Sequence, residues 1–448
     1  MKSGKKKGIL SKREILACGL ATLGINTGSL LATSFMSVYW TDIAGIPIAA
    51  VSIIYLFSKI FDGITDIIMG FLIDKCHLKG GKAKPWIFIG GVAQAILTIF
   101  MFNVPKISTR GMIIYAAFTY VVFQAIFNTM SGVSSNTMIL LMSDQPADRA
   151  AAGASANTGL CIHTLLLAMV SLPFVSALGG GQTGWRIYTI ILGVLDIVFL
   201  LIYLTNTKER FAKTEETDGK IEIRSALKAL FHNKYFICST MMGLMLNLMI
   251  GLTNGIGVYY STQILGNESY YSIITMATIP AYLLLPLSVP LMSKFGKTNV
   301  VIAGIVVSIL GTVPMMIVPT NIIAICIASI MRSAGYMPLM AGLAVFISEA
   351  CDYGTWKSGI PIQGLAFCGT SFGSKVGAGF GAAINGIIMA VAGYNGLAAV
   401  QSTSAINAIK FLQIFSPVVP LVVIIIFTAP FKKLEGMQDQ IRADLYGE

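Results

Sequence analysis

The stretch Lys59-Ile-Phe-Asp62-Gly-Ile-Thr-Asp66 places three charged side chains inside a long apolar segment. On an α-helix, Asp62 lies one turn from Lys59 and one turn from Asp66, so the three side chains form a stripe on one face. A charged group at the centre of a bilayer costs about 3 kcal/mol on insertion scales, and such groups normally face a cavity, a partner or an ion. The stripe therefore predicts a cation site at Asp62 and Asp66, with Lys59 as a charge partner. A structural ion-pair network between helices is the alternative.

The composition indicates a polytopic membrane protein. Of the 448 residues, 55% are hydrophobic and only 11% are charged. Apolar runs long enough to cross about 30 Å of hydrocarbon recur along the chain, separated by glycine, proline, asparagine or charged residues. We therefore predict an all-α fold of about 12 transmembrane helices embedded in the lipid bilayer.

The longest polar stretch divides these apolar runs into two equal sets. It extends over residues 206–233 and is rich in charged side chains. We predict a six-helix half over residues 1–205, a cytoplasmic linker over 206–233, a second six-helix half over 234–430 and a cytoplasmic tail over 431–448. Two six-helix halves are typical of the major facilitator fold, in which alternating access carries a substrate bound near mid-membrane.

The basic residues indicate membrane topology rather than a nucleic-acid partner. The net charge is +11, and most of the 31 Lys and Arg residues fall in loops predicted to lie on the same side as the N-terminus. Because cytoplasmic loops carry the excess of positive residues, we expect both termini in the cytoplasm and the protein in the cell membrane. No cleavable signal is expected, and the seven cysteines are scattered without pairing or metal-ligand spacing.

Polar residues inside the apolar spans predict a substrate cavity. In span four, polar residues recur at spacings of four, three and four, which gives one continuous polar face on a regular helix. They are Gln124, Asn128, Ser131 and Ser135. Span one carries Asn26 among small and polar residues, for which close helix packing is an equally good explanation. We interpret the face of span four as cavity lining.

Lys375 is a lone ammonium group in predicted span eleven. The glycines of the run Ser371–Gly381 around it let a neighbouring helix approach closely. A buried lysine needs a partner, and Asp62 or Asp66 is the economical choice, since Asp196 in span six is the other intramembrane carboxylate. Such a pair would be a lock that a cation opens by neutralising the carboxylates. A static salt bridge is the alternative.

The sequence contains no constellation typical of an enzyme. It has neither a phosphate-binding glycine loop followed by Lys and Ser or Thr, nor a nucleophile elbow with partners. The three histidines are isolated, and His163 inside a span is interpreted as a packing group. We therefore expect no enzymatic activity and no cofactor. A polytopic receptor or a membrane enzyme is the rival class, and paired intramembrane carboxylates argue against a bare receptor.

Six stretches in a fixed order resemble the glycoside-pentoside-hexuronide cation symporter family, a branch of the major facilitator superfamily. Each is modest alone, but their order makes the resemblance specific, and together they extend over nearly the whole chain. The stretches are Tyr39–Gly45, Lys59–Asp66, Gly70–Trp86, Met142–Arg149, Asp352–Gly359 and Ser371–Gly381.

The resemblance implies uptake of a glycoside coupled to Na⁺, Li⁺ or H⁺. Asp62 and Asp66 would hold the coupling cation, and Lys375 would be their conditional partner. Thr129 falls where the family has a further cation oxygen. Thr65 stands where the best-known member has an asparagine, which leaves Na⁺ and H⁺ both open. Oxygen ligation suits a hard alkali ion, and a carboxylate pair can bind a proton instead.

The resemblance also bears on the sugar. The sugar-binding positions of the family are occupied here by Asn26, Gly132, Asn136 and Asn157. These differ from the aspartates, tryptophan and arginine of galactoside carriers, and the chain looks more like the family's xyloside and glucuronide carriers. The predicted cavity is rich in amides and suits a neutral polyol, since amides donate and accept without burying net charge. Its residues are Asn26, Gln124, Asn128, Asn136, Asn157 and Ser371.

The predicted activity is therefore cation-coupled symport of a glycoside, either a pentoside such as a xyloside or a glucuronide. The motifs that resemble the family's cytoplasmic gate contain Asp74, Arg149 and Asp352. A uniporter, or a carrier of an amphiphile such as a lysolipid, is the alternative within the same fold. We expect the protein to function as a monomer.

Overall fold

A computed structural model describes residues 10–75, 80–143, 145–210, 230–358, 363–398 and 400–446. Within these residues, eleven helices are long and apolar enough to cross a membrane, or twelve if the bent pair Lys12–Ile25 and Thr27–Ser34 is one span. The predicted all-α polytopic fold is confirmed. The side chains of Asp74 and Ser371, predicted to belong to the gate and the cavity, lie outside the described part of the chain.

The chain folds into two compact units. The first comprises Met1–Glu216 together with Asn395–Leu397, and the second comprises Thr217–Tyr394 with Ala398–Glu448. The long described helices of the first unit are α1 (Lys12–Ile25 and Thr27–Ser34), α2 (Ile48–Lys75), α3 (Lys84–Met101), α4 (Thr109–Met142), α5 (Pro146–Ala177) and α6 (Gly181–Asn206). Two short helical segments, Met36–Val38 and the π-helical Tyr39–Ile43, lie between α1 and α2.

Several helices of the second unit are interrupted next to prolines. Its described helices are α7 (Lys234–Gln263), α8 (Ser269–Phe295), α9 (Lys297–Ile317), α10 (Ile322–Ser358), α11 (Gln363–Val391), α12 (Thr403–Ile414 and Val418–Thr428), α13 (Phe431–Glu435) and α14 (Gln438–Tyr446). Breaks in α8, α9 and α12 lie next to Pro280, Pro314 and Pro417. Proline lacks the amide hydrogen that would continue the helix, which explains these breaks.

Helix α1 is bent by 49° at Asn26. Asparagine has a low helix propensity, and Gly24 and Gly28 on either side lower the cost of leaving helical geometry. Both glycines are also packing sites. A Cβ on Gly24 would lie 2.6 Å from the backbone nitrogen of Leu200 in α6, and one on Gly28 would lie 2.7 Å from the ring of Phe123 in α4. The break therefore lies between two close contacts of α1 with its neighbours.

The segment that follows α6 contacts the starts of α1 and α3. Glu209 accepts hydrogen bonds of 2.6–2.9 Å from the backbone amides of residues 82–84, where α3 begins. The ammonium group of Lys84 donates to two carbonyl oxygens at the end of α6, and Arg210 lies 2.7 Å from Glu14 of α1. A carboxylate at a helix start and a cation at a helix end both oppose the helix dipole. The first residues of the predicted linker are thus attached to the first unit.

Glycines in α11 allow the close approach of α7 that the sequence predicted. A Cβ on Gly381 would lie 2.8 Å from the backbone nitrogen of Leu252, and one on Gly377 would overlap the carbonyl oxygen of Leu244. Lys297 forms an ion pair with Glu349, which links the start of α9 to α10. Backbone contact therefore connects α7 to α11, and an ion pair connects α9 to α10.

The packing of α5 on α1 predicts opposite effects for two glycines of one helix. A Cβ on Gly159 would overlap the carbonyl group of Gly19, whereas one on Gly153 would meet no atom within 4 Å. Gly159→Ala should destabilise the protein by about 1–3 kcal/mol through overpacking. Gly153→Ala should be neutral or stabilise it by up to about 1 kcal/mol through helix propensity. Thermal unfolding of the purified proteins measures both, and equal unfolding temperatures would contradict the described α1–α5 contact.

Candidate functional site

Asp62 of α2 is completely buried, with an exposed fraction of 0%. Its carboxylate accepts one hydrogen bond from the Gln124 amide at 3.1 Å and one from the Thr129 hydroxyl at 2.8 Å. The Lys59 ammonium group lies 3.7 Å from the same carboxylate, one turn earlier on α2. A buried charge is tolerated only when it is paired or hydrogen-bonded, and here both conditions are met.

A π-helical turn in α4 aims both hydrogen-bond donors at Asp62. The turn extends over Val122–Asn128, and Thr129 follows it directly. On a regular α-helix, residues five apart differ in direction by about 140°. The wider turn brings Gln124 and Thr129 towards the same side, and the Thr129 hydroxyl lies 3.4 Å from the Gln124 carbonyl oxygen. Gln124, which the sequence assigned to the substrate cavity, is therefore part of the carboxylate cluster.

Thr65 and Asp66 extend the cluster along α2. The hydroxyl groups of Thr65 and Thr129 are 3.5 Å apart, and Asp66 lies half-buried one turn beyond Asp62. With Lys59 and both aspartates ionised, the stripe carries a net charge of −1, so one monovalent cation would neutralise it. Among the residues that the structure describes, no group of three or more His, Cys, Asp or Glu could hold a metal. The cluster offers carboxylate and hydroxyl oxygens, which suit a hard monovalent ion or a proton.

Three buried aromatic rings pack against one another in the first unit. Trp40, Tyr55 and Tyr120 form a triangle with ring centroids 5.1–6.0 Å apart. Tyr55 lies two turns before Asp62, so the triangle includes a ring from the helix that carries the carboxylate. These rings were not predicted from the sequence, because the three residues belong to different helices and follow no common pattern.

The predicted continuous polar face of α4 is wrong. Gln124 turns to α2, and Ser131 contacts the Gln94 amide of α3. Asn128 accepts a hydrogen bond of 2.8 Å from the Ser29 hydroxyl of α1. The π-helical turn changes the register after residue 122, so a spacing that assumes a regular helix no longer applies.

Other predicted cavity residues do lie on open surfaces of the first unit. Asn136 of α4 and Asn157 of α5 are exposed, and Asn26 is half-buried at the break in α1. One turn before each exposed asparagine, at Gly132 and Gly153, a Cβ would meet no atom within 4 Å. The role of these amides in a substrate cavity stays a prediction.

The predicted gate and partner residues lie in different parts of the chain. Arg149 donates to the carbonyl oxygens of Ser143 at 2.7 Å and Leu140 at 3.2 Å, so it caps the end of α4. Asp352 is buried within α10, and Lys375 is half-buried within α11. The gate roles of Arg149 and Asp352, and the pairing of Lys375 with Asp62 or Asp66, stay predictions.

The chain is similar to proteins named as transporters and symporters, and the similarity extends over almost its full length. The chain is 25% identical over 445 residues to the isoprimeverose transporter of Lactiplantibacillus pentosus, covering 98% of this chain and 92% of the relative. It is 26% identical over 427 residues to the inner membrane symporter YicJ of Escherichia coli strain K12, covering 92% and 90%.

Solved structures of membrane transporters have the same fold as this chain. A bacterial homolog of the human lysosomal transporter Spinster, in an inward-facing and unoccupied conformation, matches with a TM-score of 0.68 at 14% identity, covering 96% of this chain and 99% of that one. At this identity the likeness concerns the fold alone. The sequence profile of one transporter family matches residues 17–432. The chain belongs to the MFS/sugar transport protein family.

Proposed function

We propose that the protein is a symporter that couples entry of a glycoside to a monovalent cation, Na⁺ or H⁺, by alternating access. The observation that carries this proposal is the buried Asp62 carboxylate, which accepts hydrogen bonds from Gln124 and Thr129 and lies beside Lys59. A carboxylate kept in an apolar helix bundle is costly, and binding of a transported cation gives a reason to keep it. Relatives named as a sugar transporter and a symporter agree with this proposal.

The coupling follows from charge. The empty stripe of Lys59, Asp62 and Asp66 has a net charge of −1, and a bound cation makes it neutral. The neutral form crosses the low-dielectric middle of the membrane at lower cost, so the loaded carrier is favoured to reorient. Lys375, by pairing with a carboxylate when the cation is absent, would make the empty state distinct from the loaded one. The hydroxyl oxygens of Thr65 and Thr129 would complete the ligand set.

The amides of the first unit favour a neutral sugar as the other substrate. Asn26, Asn136 and Asn157 lie at the open surfaces of α1, α4 and α5, and each can both donate and accept a hydrogen bond. A xyloside or another pentoside fits such a lining. A glucuronide is the second candidate, and it would need a cationic partner for its carboxylate. We place the protein in the cell membrane with both termini in the cytoplasm, working as a monomer without a cofactor and without enzymatic activity.

The first test removes the charge of Asp62. Asp62→Asn should reduce the accumulation of substrate in energised vesicles to simple equilibration, because an amide cannot neutralise a transported cation. Exchange of substrate across the membrane should survive. Asp439→Asn removes an exposed carboxylate in α14 and is the matched control. If Asp62→Asn still concentrates substrate, the assignment of the cation site fails.

The second test concerns the hydroxyl of Thr129. Thr129→Val keeps the shape of the side chain but removes the donor to Asp62, whereas Thr129→Ser keeps it. In the valine variant only, we expect the Na⁺ concentration for half-maximal uptake to rise about tenfold or more, because Na⁺ loses an oxygen ligand. If H⁺ is the coupling ion, the lost hydrogen bond to the ionised carboxylate, worth about 1.5–3 kcal/mol, should instead move the half-maximal pH upwards. A steady-state titration of uptake against Na⁺, and separately against pH, measures the effect. Equal values for the two variants would exclude Thr129 from the site.

The third test separates a symporter from a uniporter and identifies the sugar class. One cation moving with a neutral sugar carries one charge through the membrane potential, worth about 2.3 kcal/mol per 100 mV, or about fifty-fold accumulation. Xyloside addition to a supported membrane should therefore produce a current. A glucuronide would cancel the moved charge and enter silently.

This electrical test has a clear negative outcome. Uptake that only equilibrates, whatever ion gradient is imposed, would reject symport and favour the uniporter. Binding of a lysolipid without any response to sugars would favour the amphiphile carrier. Vesicles that contain the Asp62→Asn variant are the control, since they should give no current with any sugar.

A further inference from the structure

A second buried polar cluster lies in the first unit, apart from the Asp62 cluster. Thr27, His163 and Asp196 are 2%, 3% and 6% exposed and come from α1, α5 and α6. The Thr27 hydroxyl is 2.5 Å from the Asp196 carboxylate and 3.4 Å from Nε2 of His163. His163, interpreted from the sequence as an isolated packing group, is therefore connected to the carboxylate of another helix.

These side chains form the polar end of an apolar cavity. The cavity has a volume of about 300 Å³ and is lined mainly by leucine, isoleucine, valine and phenylalanine side chains of α1, α5 and α6. Among the described residues, no lysine or arginine lines it. An ionisable carboxylate in such surroundings has a high cost unless it binds a proton or a cation, and it is a functional-site candidate by default.

The hydrogen bonds restrict where protons can be. Nδ1 of His163 lies 3.0 Å from the carbonyl oxygen of Thr22, and a carbonyl only accepts, so Nδ1 carries a proton. Nε2 is then the nitrogen that faces Thr27. The single hydroxyl proton of Thr27 has a choice of acceptors, namely Asp196, His163 Nε2 and the carbonyl oxygen of Leu23 at 3.1 Å. The charge on Asp196 decides among them.

An ionised Asp196 accepts the hydrogen bond of the Thr27 hydroxyl, because hydrogen bonds to a carboxylate are the strongest and have O···O distances of about 2.5–2.7 Å. When a proton binds to Asp196, a new O–H bond forms on the carboxyl group and donates to the Thr27 oxygen. The Thr27 hydroxyl keeps its own proton and turns towards the Leu23 carbonyl. No other group gains or loses a proton in this step.

This change acts across the break in α1. Leu23 precedes Asn26, where the helix bends by 49°, and Thr27 follows it. A threonine that bonds back to the carbonyl four residues earlier bends a helix, so the direction of one hydroxyl can alter the bend. His163 holds Thr22 on one side of the break, and Asp196 holds Thr27 on the other side.

We propose that Asp196, His163 and Thr27 form a proton-binding site that is separate from the cation site at Asp62. Protonation of Asp196 redirects the Thr27 hydroxyl to Leu23 and so changes the bend of α1. Asn26, a predicted substrate-binding residue, lies at this bend. Binding of a proton at Asp196 therefore sets the position of Asn26. The site goes beyond the proposed symport activity and does not require it.

The surrounding helices bring few other titratable groups to this site. Tyr188 of α6 lines the cavity, and its hydroxyl lies 2.8 Å from that of Ser171 in α5. Cys161 is two residues before His163 on α5, and Cys18 is more than two turns before Thr27 on α1. In α3, which packs on α1 and α6, the titratable side chain is Lys84 at its first residue. Asp196 and His163 are therefore the groups that the test must distinguish.

Infrared difference spectroscopy on the purified protein in lipid nanodiscs, without substrate, tests whether Asp196 binds a proton. We expect a protonated-carboxyl band that titrates between about pH 4 and about pH 10, the range open to a buried carboxyl group. Asp196→Asn should remove this band, and Asp439→Asn should keep it. If no band in that range depends on Asp196, the proposal is overturned.

Distance measurements test the link to α1. Spin labels introduced without cysteine chemistry at Leu16, which is 63% exposed, and at Thr33, which is exposed, report the bend on either side of Asn26. A change of about 20° moves the end of a seven-residue arm by about 4 Å. In the wild type, the distance should change with the same midpoint pH as the carboxyl band.

Two substitutions of Thr27 complete the test. Thr27→Ser keeps the hydroxyl, so band and distance should continue to titrate together. Thr27→Val removes the hydroxyl, so the Asp196 band should remain while the distance no longer follows pH. A distance that follows pH equally in the valine variant, or in Asp196→Asn, would show that the bend is controlled elsewhere. Neither result depends on sugar transport, so a failure here is distinct from a failure of the proposed symport.

Discussion

The first unit depends on one constraint, the need to compensate a carboxylate buried among apolar helices. Asp62 has no exposed surface, and its oxygens are satisfied by an amide and a hydroxyl from α4 and approached by an ammonium group from α2. The π-helical turn of α4 supplies this geometry at the expense of a regular backbone ladder. Such turns persist where a specific side-chain direction compensates for the poorer hydrogen bonds.

Much of this arrangement could be predicted from the sequence, since it follows from spacing along one helix. Lys59, Asp62 and Asp66 share a face because α2 is a regular helix through the whole stripe. Thr129 came from the family resemblance rather than from periodicity. The role of Gln124 was misjudged because a wider turn leaves no signature in residue spacing.

Contacts between distant residues were beyond sequence reasoning. His163 and Asp196 are 136 and 169 residues from Thr27 in the chain, so neither the imidazole nor the carboxylate had a visible partner. The glycines that bring α1 against α5 and α6 are the underlying cause, since they let the backbones approach until these side chains meet. A single sequence contains such glycines without saying which helix each one faces. Helix α1 consequently contributes Thr27 to a polar cluster whose other members are far away along the chain.

The capping of α3 by Glu209 also has a consequence for biogenesis. The backbone amides of residues 82–84 receive their acceptor from a residue about 125 positions later. During synthesis, the start of α3 therefore lacks this cap until all of α6 has left the ribosome. Helix α6 and residues 207–210 behind it thus complete the contacts of the first unit. The unit reaches its final form only when Arg210 has been made. If the chain were expressed as two separate pieces, the division should therefore lie after Arg210 rather than at the end of α6.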